Sequence, residues 1–588
     1  MKVSDFVANF LSKHTNKVFG GQGHSILHLV DSINKNKKIS YIPGQSEQGS
    51  AIAADAYYRT TGKLGVCIAT SGPGILNFLQ GIASSYFDSI PSLYIAGAPT
   101  TGQLRKDSSI RQIGFQEMEV QKMVSPLTKY SVLITDPKKI LYHLEKALEI
   151  AFNKRMGPVL IEIPDDIQRM KMPKQKKFYK QKKKDETLKI NHTLNYIKSR
   201  LSKSKKPLFI IGNGAVLSNS INLIKKLIKN SNIPYINTWA SHGYFNSNEK
   251  LNIGTIGVAG HRSANYAAQF SDLIIGFGVR LGPQVVGANF KKFNPECEKI
   301  LFDIDKNERK SQILPVKTKI FNISLNKIFK SDLSKLKILK NKDHKIWREN
   351  LLNLKNQFRP VIDNSNFNKK YVTPEIFFNK ISKIINSNTI LINDTSANLV
   401  WSFQNIIFNK IFKIFSALNH SPMGYSLPAC VGAGIENKNQ NTIAIIGDGS
   451  VPMNVQELET IKHFNLNCKI FIIDNNGLLL IKQTQETWLN KRYAAVDKKS
   501  NLSQPSFKWM AKSYNIKYLE IKNDKEISEK LKKIIKIKKP LIIVVKINPK
   551  SRVFPKLEFG KPLHEMMPKL NKYLKNKIEK GLENNAPI

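Results

Sequence analysis

The feature that most constrains this chain is a pair of apolar runs, each ending in a polar turn. Residues 442–446 run straight into Gly447-Asp448-Gly449-Ser450, and residues 469–473 run into Asp474-Asn475-Asn476-Gly477. Residues 454–463, between them, read as helix. Asp448 and Asn475 are 475 − 448 = 27 positions apart, room for a strand, a crossover helix and the next parallel strand. Runs apolar throughout belong to a parallel sheet covered on both faces. Both turns then emerge at the carboxyl ends of neighbouring strands, where open α/β sheets bind ligands.

The residue types in the two turns point to one chemistry. A hard cation such as Mg2+ takes oxygen ligands and completes its shell with phosphate oxygens and water. The Asp448 carboxylate, the Asn475 amide oxygen and the Gly477 carbonyl supply such oxygens. Gly447 and Gly449 let the backbone approach a diphosphate. Backbone N–H groups after Ser450, at the start of the next helix, can face its anionic oxygens. Gly-Asp-Gly-Ser alone is a common turn; the second turn at this distance makes the signal specific.

The same alternation of short apolar runs and helical stretches recurs along the chain, which predicts an α/β protein of three doubly wound domains with mainly parallel sheets. With 588 residues the chain is too long for one core. We divide it into 1–172, 187–335 and 368–550, with a tail over 551–588. In the first unit, 64–70, 93–97 and 159–163 read as strands and 75–86 as helix. The Lys-rich stretch 174–186 reads as a solvated linker. In the second unit, 207–211, 273–278 and 299–303 read as strands, Gly212-Asn213-Gly214 as a turn and 220–229 as helix. Residues 327–366, polar and Lys-rich, read as another boundary. In the third, 389–392 and 541–547 join the two runs above. The tail beyond Pro549 has little strand character.

The formal net charge of +48 raises nucleic-acid binding. The excess is mostly Lys, scattered and mixed with Asn and Ile, and no nucleic-acid partner is expected. No apolar run is long enough to span a membrane, and the first residues read as an amphipathic helix, not a signal peptide. Cys67, Cys297, Cys430 and Cys468 are far apart, so neither a disulfide framework nor a zinc site is expected, and a reducing cytoplasm fits.

The paired turns resemble the diphosphate-and-metal motif of thiamine-diphosphate enzymes. Such enzymes need a glutamate at the cofactor's aminopyrimidine, and Glu47-Gln48-Gly49, opening an Ala-rich stretch, offers one. By itself Glu47 reads equally as a first-turn acid complementing a helix dipole. Thr70-Ser-Gly-Pro-Gly74 with Asn77, Phe115-Gln116-Glu117, Gly157-Pro-Val159 and Ser421-Pro-Met-Gly-Tyr-Ser-Leu-Pro-Ala429 follow in the order found in acetolactate synthase catalytic subunits. The chain resembles that family over nearly its whole length.

The resemblance implies thiamine diphosphate, Mg2+ and a structural FAD as cofactors. It implies decarboxylation of pyruvate and transfer of the two-carbon unit to a second carbonyl, giving 2-acetolactate when the acceptor is pyruvate. Glu47, Phe115 and Gln116 take catalytic roles. Glu47, Asn77, Ser421, Met423, Gly447, Asp448, Gly449, Ser450, Asn475 and Gly477 hold the cofactor, and Asp448, Asn475 and Gly477 the metal. Arg155, Gly212, Gly214, Arg280 and Asp303 match the FAD site. The active site is expected between two subunits of a homodimer or homotetramer, with a small regulatory subunit as a further partner.

The match breaks in places. Gln284 replaces an arginine of a flavin-neighbouring motif, and Asp165 stands where the family has lysine. Thr484 stands near the place of a tryptophan that helps select 2-ketobutyrate. Residues 477–485 and 561–568 are closer to a sister group associated with carbohydrate synthesis. That opens an alternative, transfer of the two-carbon unit to a keto-sugar or other aldehyde.

Overall fold

The apolar runs become parallel strands. The computed structural model describes residues 1–588 apart from 108, 179–186, 332, 334–335, 337–341, 360–367 and 410–411. Its first sheet holds β1 (Lys17–Gly20), β2 (Ser40–Pro43), β3 (Gly65–Ala69), β4 (Ser92–Ala98), β5 (Tyr130–Leu133) and β6 (Val159–Pro164), in the order β2-β1-β3-β4-β6-β5. The second holds β7 (Pro207–Ile211), β8 (Tyr235–Asn237), β9 (Asn252–Thr255), β10 (Leu273–Phe277), β11 (Glu298–Phe302) and β12 (Thr318–Phe321), in the order β12-β11-β10-β7-β8-β9. The third holds β13 (Thr389–Asn393), β14 (Lys413–Phe415), β15 (Asn441–Gly447), β16 (Cys468–Asp474), β17 (Lys517–Ile521) and β18 (Leu541–Lys546), in the order β14-β13-β15-β16-β18-β17.

Strand for strand, the first and third sheets share one topology. In each, the chain reverses direction across the sheet after its first two strands. The crevices at these switch points lie between β1 and β3 and between β13 and β15, and in the second sheet between β7 and β10. Such crevices are where α/β sheets take ligands. Every residue of β3, β4 and β16 is buried, as a sheet covered on both faces requires.

One apolar core runs from the first sheet into the third, through Ala51, Ala53 and Ala54 on one side and Val431 and Ala433 on the other. Helices Glu47–Thr61 and Ser426–Gly434 pack so closely that a Cβ on Gly432 would lie 2.0 Å from the Ala53 carbonyl oxygen. Beside this contact Arg59 bridges Asp55 at 2.7 Å and Asp88 at 3.0 Å. The Tyr425 hydroxyl, from the third unit, donates to Asp55 at 2.6 Å.

Several local expectations need correction. Gly212-Asn213-Gly214 is no free turn, because helix Asn213–Leu217 begins within it. Its glycines press on Gly278, and a Cβ on Gly212 would meet the Gly278 carbonyl oxygen at 2.4 Å. Stretch 454–463 is split between a 3-10 turn, Val451–Asn454, and helix Glu457–His463. Stretch 327–366 contains helix Lys342–Gln357, which belongs to the second sheet's core: Trp347, Leu351 and Leu354 are buried, and the Trp347 indole donates to the Pro207 carbonyl at 3.0 Å. Its abundant lysines hid that apolar stripe. Residues 179–186 of the expected linker, and 332, 334–335, 337–341 and 360–366 of the expected boundary, lie outside the described residues. The tail forms a short antiparallel ribbon, Lys556–Leu557 with Met566–Met567, and helix Lys572–Glu583.

Candidate active site

Glu47 stands at the first switch point. Ser46 caps the Glu47–Thr61 helix by accepting the Gly49 N–H at 3.0 Å, which places Glu47 in the first turn. Asn77, on the Pro73–Asp88 helix that follows β3, donates to the Glu47 carboxylate at 2.9 Å. Gly21 and Gly74 leave the space beside it free, since a Cβ on either would lie 3.3 or 3.6 Å from Oε1. Gln116 sits in the left-handed region at φ 61° and packs on Gly72, itself left-handed at φ 65°. A Cβ on Gly72 would come within 2.8 Å of the Gln116 Cβ, so this close approach requires glycine. Phe115 next to it is 80% exposed.

The second group forms where β13, β15 and β16 end. Asp448 is 1% exposed and accepts the N–H groups of Gly449 at 2.8 Å, Asn475 at 3.1 Å and Gly477 at 2.9 Å. Burial pushes its carboxyl up to about 7, and neighbouring Asp474 adds to the rise against those hydrogen bonds. The Asn475 side-chain oxygen is buried with no hydrogen-bond partner. A carboxylate beside an orphaned amide oxygen is a donor set that a hard cation fits. A Cβ on Gly449 would lie 2.5 Å from Leu478 and 3.7 Å from the Met423 methyl, so Met423 overhangs the glycine turn. Ser421, left-handed at φ 54°, shares a 2.6 Å hydroxyl contact with Thr395.

Asp394, which the sequence reading passed over, ties this group together. Fully buried at the end of β13, it accepts the N–H of Gly424 at 3.1 Å and of Ser426 at 3.0 Å, and it also bonds Ser450. It pins the segment that carries Met423 to the Gly447–Ser450 turn. Its position at the end of an apolar run, matching that of Asp448, was the signal available in the sequence.

The structure thus brings Glu47, Asn77 and Gln116 together in one group. Ser421, Met423, Gly447, Asp448, Gly449, Ser450, Asn475 and Gly477 form the other. Residues flanking Glu47 touch the third unit, through Ser46 N–H to Glu457 at 3.2 Å and the Gln48 amide to Asn454 at 3.2 Å. Among the described residues, no hydrogen bond or ion pair joins Glu47 to Asp448 or Asn475.

In the second unit, Arg280 and Asp303 line a 180 Å³ cleft together with Glu308. Arg155 reaches it from the first unit and is held by Glu308 at 2.6 Å and Asp305 at 3.5 Å. Burial pushes the Asp303 carboxyl up to about 6. Gly212 and Gly214 lie at the β7–β10 switch point. The donor types and the location suit a nucleotide-like group, but the cleft is smaller than a typical ligand site of roughly 300–1,000 Å³. Thr484 is exposed on helix Leu479–Trp488, and Asp165 pairs with Arg169 at 3.3 Å.

The comparisons with known proteins run the length of this architecture. The N-terminal thiamine pyrophosphate-binding domain of thiamine pyrophosphate enzymes matches residues 1–123, their central domain 194–321 and their C-terminal thiamine pyrophosphate-binding domain 394–545. The acetolactate synthase large subunit of Cyanidium caldarium is 31% identical over 585 residues, covering 95% of each chain. A probable acetolactate synthase large subunit of Methanocaldococcus jannaschii is 30% identical, over 90% of this chain and 89% of its own. That of Lactococcus lactis is 28% identical, over 94% and 93%. With three matching domains in sequence order, and relatives that align over about nine-tenths of both chains, the chain belongs to the acetolactate synthase large-subunit family of thiamine-diphosphate enzymes.

Proposed function

We propose that the protein decarboxylates pyruvate and joins the two-carbon unit to the keto carbon of a second pyruvate, forming 2-acetolactate. The orphaned Asn475 oxygen beside Asp448, at the carboxyl ends of β15 and β16, carries this reading. The names of the relatives favour pyruvate over a keto-sugar as acceptor.

In this reading Asp448, the Asn475 side-chain oxygen and the Gly477 carbonyl hold Mg2+. Gly447, Gly449 and Ser450 lie along the diphosphate. A cation there favours the charged form of Asp448, against the burial that raises it. Met423, which overhangs the Gly449 turn, would pack against the bound cofactor, and the Ser421 carbonyl would accept from its amino group. Glu47 would hold a proton at the aminopyrimidine end, and Asn77, which donates to it at 2.9 Å, would steady its carboxylate. Gln116 and Phe115 flank the approach of substrate. Bound thiamine diphosphate supplies an electron sink for the pair released when carbon dioxide departs.

In this reading the site is shared by two subunits, and sedimentation of the cofactor-loaded protein reads the mass. FAD, held by Arg155, Arg280, Asp303, Gly212 and Gly214, is structural in this reading and takes part in no step. Its uptake requires the cleft to widen and Arg155 to exchange Glu308 for the ligand. Flavin fluorescence of the purified protein tests that.

The experiment for the main reading is direct. Purified protein with pyruvate, thiamine diphosphate and Mg2+ should release one carbon dioxide for each acetolactate formed. Absence of both products refutes it.

A further inference from the structure

A cavity of 340 Å³ opens beside Gly72 and Gln116, in the same unit as Glu47. Glu162, from β6 in the body of the first sheet, lines it and is 4% exposed. Gln121 donates to Glu162 Oε2, and Oε1 has no hydrogen-bond partner among the described residues. The other charged groups around the cavity are Arg105, Lys106, Lys122, Glu117 and Glu119. Both Arg105 and Lys122 pair with Glu119, at 3.3 and 2.7 Å. Glu117 accepts the N–H groups of Ile113 and Gly114 at 3.0 and 3.2 Å. Among the described residues no cation pairs with Glu162. Burial pushes its carboxyl up to about 8, so it keeps its proton at neutral pH.

The reaction has a use for that proton. Two 2-keto acid anions become one monoanion and carbon dioxide, so each turnover takes up one proton. The new carbon–carbon bond forms at the acceptor's keto carbon, and the carbonyl π pair moves onto its oxygen. That oxygen must be protonated as the bond forms.

We propose that the Glu162 carboxyl gives this proton to the acceptor's carbonyl oxygen, and that the cavity it shares with Gln116 holds the acceptor, a small 2-keto acid anion drawn in by Lys106 on its rim. The proposal rests on the carboligase reading. The O–H bond of Glu162 breaks as that of the product forms. The carboxylate left behind is reloaded from solvent through the cavity mouth.

Glu162→Gln keeps the shape and the contact with Gln121 but carries no transferable proton. The variant should release carbon dioxide from pyruvate normally in a single turnover, yet form acetolactate about 100-fold more slowly, as loss of a general acid does. Glu162→Asp should restore part of the rate. In infrared difference spectra, the wild type should show a protonated-carboxyl band at pH 7 that Glu162→Gln lacks. The proposal is overturned if Glu162→Gln forms acetolactate at the wild-type rate, if both half-reactions fall by the same factor, or if the wild type lacks that band. Should the variant fail to fold, Glu162→Asp takes its place: slower acetolactate formation with carbon dioxide release intact supports the proposal, and both falling by the same factor overturns it. A wild-type protein that releases no carbon dioxide from pyruvate contradicts the carboligase reading instead.

Discussion

Asp448 accepts the backbone N–H of Asn475 at 3.1 Å across the ends of adjacent strands, while the side-chain oxygen of Asn475 is buried without a partner. Such an atom costs stability until a ligand takes it. Asn475→Ala should therefore make the ligand-free protein more stable, by about 1 kcal/mol, since removing the orphan relieves its desolvation. The same change should weaken Mg2+-dependent cofactor binding at least about 10-fold. Urea unfolding and calorimetry read the two effects, and a variant with undiminished affinity removes Asn475 from the metal site.

Asp394 offers a second handle. Asp394→Ala leaves the Gly424 and Ser426 N–H groups buried and unpaired, at a cost of about 2–4 kcal/mol. The loosened segment carries Met423, so cofactor affinity should fall with stability. Denaturant midpoints and cofactor titration check both. A loss of stability with affinity intact would separate Asp394 from the site.

Arg59, paired with Asp55 and Asp88 of the first unit, also donates to the Ser416 carbonyl of the third at 3.1 Å. Arg59→Ala strands Asp55 and Asp88 in the interior, and breaking such a buried pair costs about 3–5 kcal/mol. Chemical denaturation measures this. A change of only a few tenths would show that water enters this interface freely.

Glu162 sets a pH dependence. Its carboxyl is raised in the fold from an ordinary 4.5 to about 8. The folded state therefore binds a proton that the unfolded chain has lost. The stability that this proton contributes is full below about pH 4.5 and is lost as pH rises through about 8. Thermal melts across this window should fall more steeply for the wild type than for Glu162→Gln. Parallel curves would show that Glu162 is ionised in the fold.

The parallel sheets were legible because Ile- and Val-rich runs such as 442–446 and 541–547 leave few alternatives to a buried strand. The Asp448 and Asn475 turns were legible because a fixed crossover length separates them. Short strands with polar partners, such as Lys17–Gly20 and Lys517–Ile521, carry no such pattern and were missed. Asp394 and Glu162 were missed for another reason. Their chemistry comes from burial and from partners far along the chain, Gly424 and Gln121, which spacing alone does not reveal. Helix Lys342–Gln357 was masked by the polar and charged residues that separate its buried positions.

In the proposed site Glu47 would move a proton at the pyrimidine end of a coenzyme whose diphosphate is held through the metal that Asp448 and Asn475 bind. Deuterium exchange at the thiazolium C2 of the bound coenzyme, followed by NMR, tests it most directly. Glu47→Gln should bind thiamine diphosphate and Mg2+ with near wild-type affinity and exchange C2 about 100-fold more slowly or worse. Exchange at the wild-type rate in that variant would contradict the account.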